Sequence, residues 1–156
     1  MDGTTGRSSG RVLVFIVSYN AEKHIGSVLD RVPKELFGSE DVHFLCIDDC
    51  SGDGTASVAA LWAREHRVRN LTVLRNRANQ GYGGNQKLGY RFCLDAGFDF
   101  VILLHGDGQY APELIPRFIA TWRTTGADVV LGSPSGAACP STSWSGTGFS
   151  PGCRTA

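Results

Sequence analysis

Hydrophobic periodicity switches between two patterns along the chain. Val12-Leu13-Val14-Phe15-Ile16-Val17 is a continuous apolar run rich in β-branched residues. Such runs suit strands buried on both faces of a parallel sheet. Ile25, Val28, Leu29 and Val32 follow at helical spacing, and Pro33 ends or bends that helix. A second strand is predicted over Val42 to Ile47. A second helix carries Val58, Leu61 and Trp62 on one face, with Ala56, Ala59, Ala60 and Ala63 packed around it. Leu71 to Leu74 is a short third strand. Leu88, Phe92 and Ala96 give a third helix its stripe, closed by Gly97. Phe100 to Leu104 is the fourth strand. Pro112 opens a fourth helix with Leu114, Ile115, Phe118, Ile119 and Trp122. Asp128 to Leu131 starts a fifth strand.

Strands alternating with helices predict a doubly wound α/β sheet, mostly parallel, with helices on both faces and right-handed crossovers. Ligands in such sheets bind at the carboxyl ends of the strands. The periodicity stops at Gly132. Residues 133–156 are almost all Ser, Gly, Thr, Pro, Ala and Cys, without Lys, Asp or Glu. That composition predicts a disordered tail, and the polar residues 1–10 a disordered N-terminus. Residues 11–132 are the predicted folded domain.

Composition narrows the function classes. The chain has 156 residues, of which 42% are hydrophobic, enough for a packed core. Fifteen basic residues balance fifteen acidic ones. A neutral domain carries no field for general nucleic-acid binding. No apolar run approaches the roughly 20 residues of a membrane span, and no secretory signal is visible. Five cysteines without paired Cys-x-x-Cys motifs argue against a disulfide scaffold and a structural zinc site. Cys46 and Cys93 read as buried free thiols. His24, His43 and His66 lack metal spacing and read as structural.

Polar, Gly-rich clusters end three strands. They are Ser18-Tyr19-Asn20-Ala21-Glu22, Asp48-Asp49-Cys50-Ser51-Gly52-Asp53-Gly54-Thr55 and His105-Gly106-Asp107-Gly108-Gln109-Tyr110. A fourth cluster, Asn79-Gln80-Gly81-Tyr82-Gly83-Gly84-Asn85, opens the third helix. Asp48, a strand-end carboxylate beside a second one, points to a ligand such as a base or ribose hydroxyl. Ser51, Asp53 and Thr55 read equally as turn and cap residues. Asp107 reads either as a tight Gly-Asp-Gly turn or, with the Gln109 oxygen, as a hard oxygen site for Mg²⁺ or Mn²⁺ carrying a diphosphate. Gly81, Gly83 and Gly84 suit phosphate approach at a helix N-terminus. Arg75 and Arg77 are candidates to steer a diphosphate.

Three nucleotide chemistries fall away. The first strand is not followed by the Gly-x-Gly-x-x-Gly of a dinucleotide fold. No Gly-Lys-Ser/Thr of a P-loop is present. The Gly-rich, basic signature of a nucleotidyltransferase after strand one is also missing.

The order and spacing of the four clusters resemble the family 2 glycosyltransferases with a GT-A fold, in particular the polyprenyl-phosphate and dolichol-phosphate sugar transferases. The resemblance runs from Arg11 to about Ser133. It implies a nucleotide-sugar donor site in a Rossmann-like half-domain. Tyr19, Asn20 and Glu22 would sit against base and ribose. Asp48 or Asp49 would bind base or ribose, with Gly81 and Gly83 near the phosphates. Asp107 would match the last carboxylate of the family's Asp-x-Asp motif and hold Mg²⁺ or Mn²⁺, with Gln109 and His105 nearby. The implied acceptor is a polyprenyl phosphate, and the implied location cytoplasmic, peripheral at the membrane face.

Three departures stand out. His105 occupies the place of the first Asp of Asp-x-Asp, and Ala21-Glu22 replaces the commoner Asn-Glu pair. Gly132-Ser133 leads into Pro134 and the low-complexity tail where the family continues to its acceptor-binding half. The expectation is a chain truncated or frameshifted after about Ser133, with the acceptor pocket and catalytic base in the missing part. The alternative is a catalytically inert nucleotide-sugar-binding fragment.

Overall fold

The structure is a computed structural model. It describes residues 10–132 and the backbone of Cys153–Thr155. Most of the two predicted disordered ends lies outside the described residues.

The chain divides into two compact units, one over Ser9–Pro116 and the other taking in Arg117 onward. In the first unit, β1 (Val12–Ser18), β2 (Val42–Asp48), β3 (Leu71–Arg75) and β4 (Phe100–His105) form one sheet in the order β3-β2-β1-β4. Every pairing is parallel. Between them run α1 (Glu22–Asp30), α2 (Thr55–Glu65) and α3 (Gly81–Asp95). Short 3-10 turns span Lys34–Gly38 and Pro112–Leu114.

The apolar runs become the middle of the sheet because a central parallel strand is covered on both sides. All seven residues of β1 are buried. Alternate side chains point to opposite faces. Leu13, Phe15, Val17, Leu45 and Ile47 form a core with Cys93 of α3, backed by Phe92, Phe98, Val101 and Leu103. On the other face Phe37 bridges Phe44 of β2 and Trp62 of α2. Trp62 Nε1 also donates to Asp30 Oδ1 at 2.8 Å, tying α2 to the end of α1. Strand order therefore reverses between β1 and β4, with helices on both faces.

Two helical stripes differ from expectation. α3 buries Asn85, Gly89 and Cys93, while Leu88 is exposed. α2 buries Thr55, Ala59 and Trp62, while Leu61 is exposed. Trp62 and Phe92 keep their predicted places against the core, and Gly89 takes the closest position on α3 because a Cβ there would meet the Phe15 ring. The first helix keeps its predicted stripe of Ile25, Val28 and Leu29.

α4 (Ile115–Thr125) crosses into the second unit. Ile115, Ile119 and Trp122 are buried, whereas Leu114 falls in the preceding 3-10 turn and is exposed. β5 (Val129–Leu131) pairs in parallel with β6 (Cys153–Thr155) as a separate two-stranded sheet. The predicted fifth strand thus exists but does not extend the four-stranded sheet. Cys153–Thr155, predicted disordered, gains a backbone partner in β5.

Among the described residues Cys46, Cys50 and Cys93 are free thiols. Burial raises the Cys46 thiol to about 11, which keeps it protonated and unreactive. No helix among the described residues is long and apolar enough to cross a membrane.

Candidate nucleotide-sugar site

The cavity lies where strand order reverses. It has a volume of about 320 Å³ and is walled by the ends of β1 and β4 and the start of α3. The register aligns Ser18 with Asp48 and Val17 with His105, so three strand ends finish level with one another. Such a crevice is where open parallel sheets take ligands.

One end of the cavity is built on Asp49. Its carboxylate is buried, and Oδ1 accepts hydrogen bonds from Asn76 Nδ2 at 2.7 Å and the Gln80 amide at 2.9 Å. These bonds hold the loop that leads into α3. Asn79 Oδ1 accepts from the Gly81 amide at 2.8 Å, and Gly81 adopts φ +70, a left-handed conformation open to glycine. Both Asn79 and Gly81 line the cavity.

The other end is built on β4. His105 Nε2 lies 3.0 Å from the Tyr82 hydroxyl, and His105 Nδ1 lies 4.0 Å from Asp107 Oδ2. The rings of Tyr82 and Tyr110 meet the imidazole edge to face, at centroid distances of 5.4 and 4.8 Å. Partial burial holds the Tyr82 phenol above its ordinary value, with the neighbouring Tyr90 and Tyr110 adding to it, so the hydroxyl stays neutral. Asp107 Oδ1 accepts from the Gln109 amide at 3.0 Å. Tyr19 projects at the rim, about half exposed.

The sequence candidates therefore separate into two groups. Tyr19, Asp49, Gly81, His105 and Asp107 line the cavity; Asn20, Glu22, Asp48, Gly83 and Gln109 do not. Asp48 is fully buried and turns away. Its Oδ1 accepts from the Ser51 amide at 3.2 Å and from the Ser51 hydroxyl, and its Oδ2 lies 3.3 Å from Arg75 Nε. Adjacent residues at a strand end face opposite ways, so only one of the two carboxylates can reach the crevice. Asn20 and Glu22 brace the β1–α1 loop against the β2–α2 loop. Asn20, at φ +49, accepts on Oδ1 from the Gly52 amide at 3.1 Å, and its own amide donates to Ser51 Oγ at 2.8 Å. Glu22 Oε2 accepts from the Gly54 amide at 3.1 Å, beside the start of α2 where a negative charge is favoured. Thr55 Oγ1 accepts from the Ala21 amide at 2.8 Å. Ser51 and Thr55 thus tie two loops together rather than serving only their own turn.

Tyr82, Asn79 and Asn85 line the cavity; they stand in the fourth sequence cluster, which assigned a role only to its glycines. Asn85 is fully buried; its Nδ2 donates to the Ile47 carbonyl at 3.0 Å, and its Oδ1 has no hydrogen-bond partner. The available signal was spacing: Asn85 stands at the head of the buried series that continues through Gly89 and Cys93.

A parallel α/β sheet with a polar crevice at its switch point is the architecture of the GT-A glycosyltransferases. Solved structures agree. The chain is similar to Staphylococcus aureus TarS 1-349 in complex with UDP-GlcNAc, with a TM-score of 0.60, 24% identity, and coverage of 83% of this chain and 37% of that one. It is also similar to the mannosyltransferase PcManGT of Pyrobaculum calidifontis in complex with GDP-Man and Mn²⁺, with a TM-score of 0.57, 20% identity, and coverage of 75% and 33%.

The chain belongs to glycosyl transferase family 2, whose model matches residues 13–151. By family it is therefore of an enzyme class. Among curated relatives, it is 35% identical over 123 residues to the undecaprenyl-phosphate mannosyltransferase of Micrococcus luteus, covering 79% of this chain and 48% of that protein. It is 30% identical over 132 residues to the polyprenol monophosphomannose synthase of Mycolicibacterium smegmatis, covering 85% and 48%. The chain spans about half the length of these relatives.

Proposed function

We propose that this chain is the donor-binding part of a glycosyltransferase that moves a sugar from a nucleoside diphosphate to a polyprenyl phosphate. The observation that carries this reading is the cavity itself. It places a buried carboxylate, Asp49, at one end and the His105–Asp107 pair at the other. A nucleotide sugar presents the hydrogen-bonding groups of base and ribose at one end, with an anionic diphosphate next to them and the sugar beyond it. Asp49 accepts from base or ribose, and the exposed Tyr19 ring offers a stacking face. The Gln80 and Gly81 amides are taken by Asp49 and Asn79, so the amides of Tyr82 and Gly83 in the first turn of α3 are the ones this reading gives to a phosphate. In this reading Asp48, Asn20 and Glu22 act behind the wall, by holding the loops that carry Tyr19 and Asp49.

A divalent cation fits the other end. Among the described residues no three metal-ligating side chains converge, but Asp107 and His105 offer two donors. A Mg²⁺ or Mn²⁺ carrying a nucleotide takes only one or two protein groups and draws the rest from phosphate and water. When bound, it neutralises charge developing on the nucleoside-diphosphate leaving group. A phosphate monoester acceptor attacks through an oxygen already largely ionised at neutral pH, and no described residue is assigned the role of a base. The relatives' polyprenyl-phosphate acceptors support a site of action at the cytoplasmic membrane face.

The test is calorimetric titration of the chain with UDP and GDP, with and without Mn²⁺, on wild type and Asp107→Ala. The expected result is metal-dependent binding that Asp107→Ala weakens about tenfold or more, which is about 1.4 kcal/mol. Folded protein that binds neither nucleotide overturns the reading. Binding without transfer to polyprenyl phosphate leaves a nucleotide-sugar-binding module.

A further inference from the structure

His105 departs from the carboxylate of the family pattern, and its surroundings are specific. The imidazole has two nitrogens with different neighbours. Nε2 lies 3.0 Å from the Tyr82 hydroxyl, an ordinary hydrogen-bond distance. Nδ1 lies 4.0 Å from Asp107 Oδ2, too long for a hydrogen bond. The two donors face one another with no hydrogen bond between them, and together they could hold one cation.

Resting on the donor-site reading above, we infer that Tyr82 is a positioning residue that makes His105 a nitrogen donor, so that this site selects Mn²⁺ over Mg²⁺. A cation on Nδ1 requires the ring proton on Nε2, and the Tyr82 oxygen stands at hydrogen-bond distance to accept it there. Histidines that hold metals characteristically donate their second ring N–H to a carboxylate, a backbone carbonyl or water, and here the Tyr82 hydroxyl takes that place. The edge-on contacts of Tyr82 and Tyr110 set the plane of the ring.

The selectivity follows from donor chemistry. Mg²⁺ is a hard cation that takes oxygen ligands. An imidazole nitrogen suits transition metals better. A carboxylate in place of His105 would serve both ions, whereas His105 beside Asp107 favours the one that accepts nitrogen. Tyr82 comes from the first turn of α3 and His105 from the end of β4. Cation choice is thus set by the packing of two elements and not by one motif.

The experiment measures binding of Mn²⁺ and Mg²⁺ with GDP and UDP by calorimetry, and records pulsed electron paramagnetic resonance of the Mn²⁺ complex. Wild type, Tyr82→Phe, His105→Asp and Asp107→Ala are compared, each checked for cooperative unfolding. Wild type is expected to prefer Mn²⁺ and to show coupling from a directly bound imidazole nitrogen. His105→Asp loses the nitrogen signal and brings the two metals towards equal affinity. Tyr82→Phe keeps the ring contact but removes the hydroxyl, and weakens Mn²⁺ by about tenfold while sparing Mg²⁺. A metal-dependent nucleotide complex without nitrogen coupling, or an Mn²⁺ preference unchanged in His105→Asp, overturns this inference alone. An equal fall for both metals in Tyr82→Phe overturns the positioning role. Absence of nucleotide binding in folded wild type overturns the donor-site reading and this inference with it.

Discussion

Gly89, midway along α3, rests directly against the ring of Phe15 in the middle of β1, and a Cβ there would strike three atoms of that ring. The contact explains why a glycine sits in the interior of a fifteen-residue helix. Phe15 is fully buried and also meets Tyr90 edge to face at 6.4 Å. Its ring has no open side to turn towards.

Gly89→Ala is therefore expected to destabilise the domain. Helix propensity alone would give a gain of about 1 kcal/mol. Overpacking a fixed ring costs about 1–3 kcal/mol, and the second effect wins. A lower midpoint in urea unfolding is the expected outcome; a higher midpoint shows that α3 slides away from the sheet without cost.

Asp49 links the cavity wall to the loop before α3. Asp49→Ala removes the acceptor for both Asn76 Nδ2 and the Gln80 amide. The expected result is faster amide exchange at Gln80 together with nucleotide binding weakened about tenfold or more. Asp49→Asn keeps an oxygen in the same place and should retain slow exchange at Gln80. If both variants bind nucleotide like wild type, Asp49 does not read the ligand.

Stability should fall with acid in two stages. Burial holds the His43 imidazole below its ordinary value, and the Arg11 guanidinium adds to this. The unfolded chain then binds more protons than the folded one. The His43 contribution is complete above about pH 6.5 and declines below it, down to the depressed folded value. Glu113 is held below its ordinary 4.5, chiefly by the Arg31 guanidinium, which donates to both its oxygens. Its contribution is present above pH 4.5 and is lost as pH falls through the folded value. Urea midpoints from pH 8 to 3 check this: His43→Gln should remove the upper decline and Glu113→Gln should reduce the lower. A flat profile in wild type counts against both.

Much of the fold is readable in the sequence because parallel strands must be apolar on both faces. Val12 to Val17 and Val42 to Ile47 leave little choice of structure. Helix faces were harder. Leu88 and Leu61 satisfy a helical period, yet the neighbouring phase, with Gly89 and Ala59, is buried. Periodicity cannot tell which phase packs when the closer-packing residue is small. The strand-end clusters and the cluster that opens α3 supply nearly all of the residues that line the crevice. They did not say which of Asp48 and Asp49 faces it, because that depends on strand twist and on Arg75 arriving from β3. Tyr82 stood in the fourth cluster without a role of its own, because its contact with His105 joins two elements that no sequence spacing relates.

The braces between the β1–α1 and β2–α2 loops have an evolutionary corollary. Asn20 with Gly52, Ala21 with Thr55, and Glu22 with Gly54 interlock like the teeth of a key in its ward. Each tooth is a backbone amide on one loop met by a side chain on the other, so a one-residue insertion in either loop misaligns every tooth at once. A length change in one stretch is therefore expected to need a matching change in the other. A chimera that borrows only one of them from a distant relative inherits a lock without its key, while an exchange of both carries the fitted pair across intact.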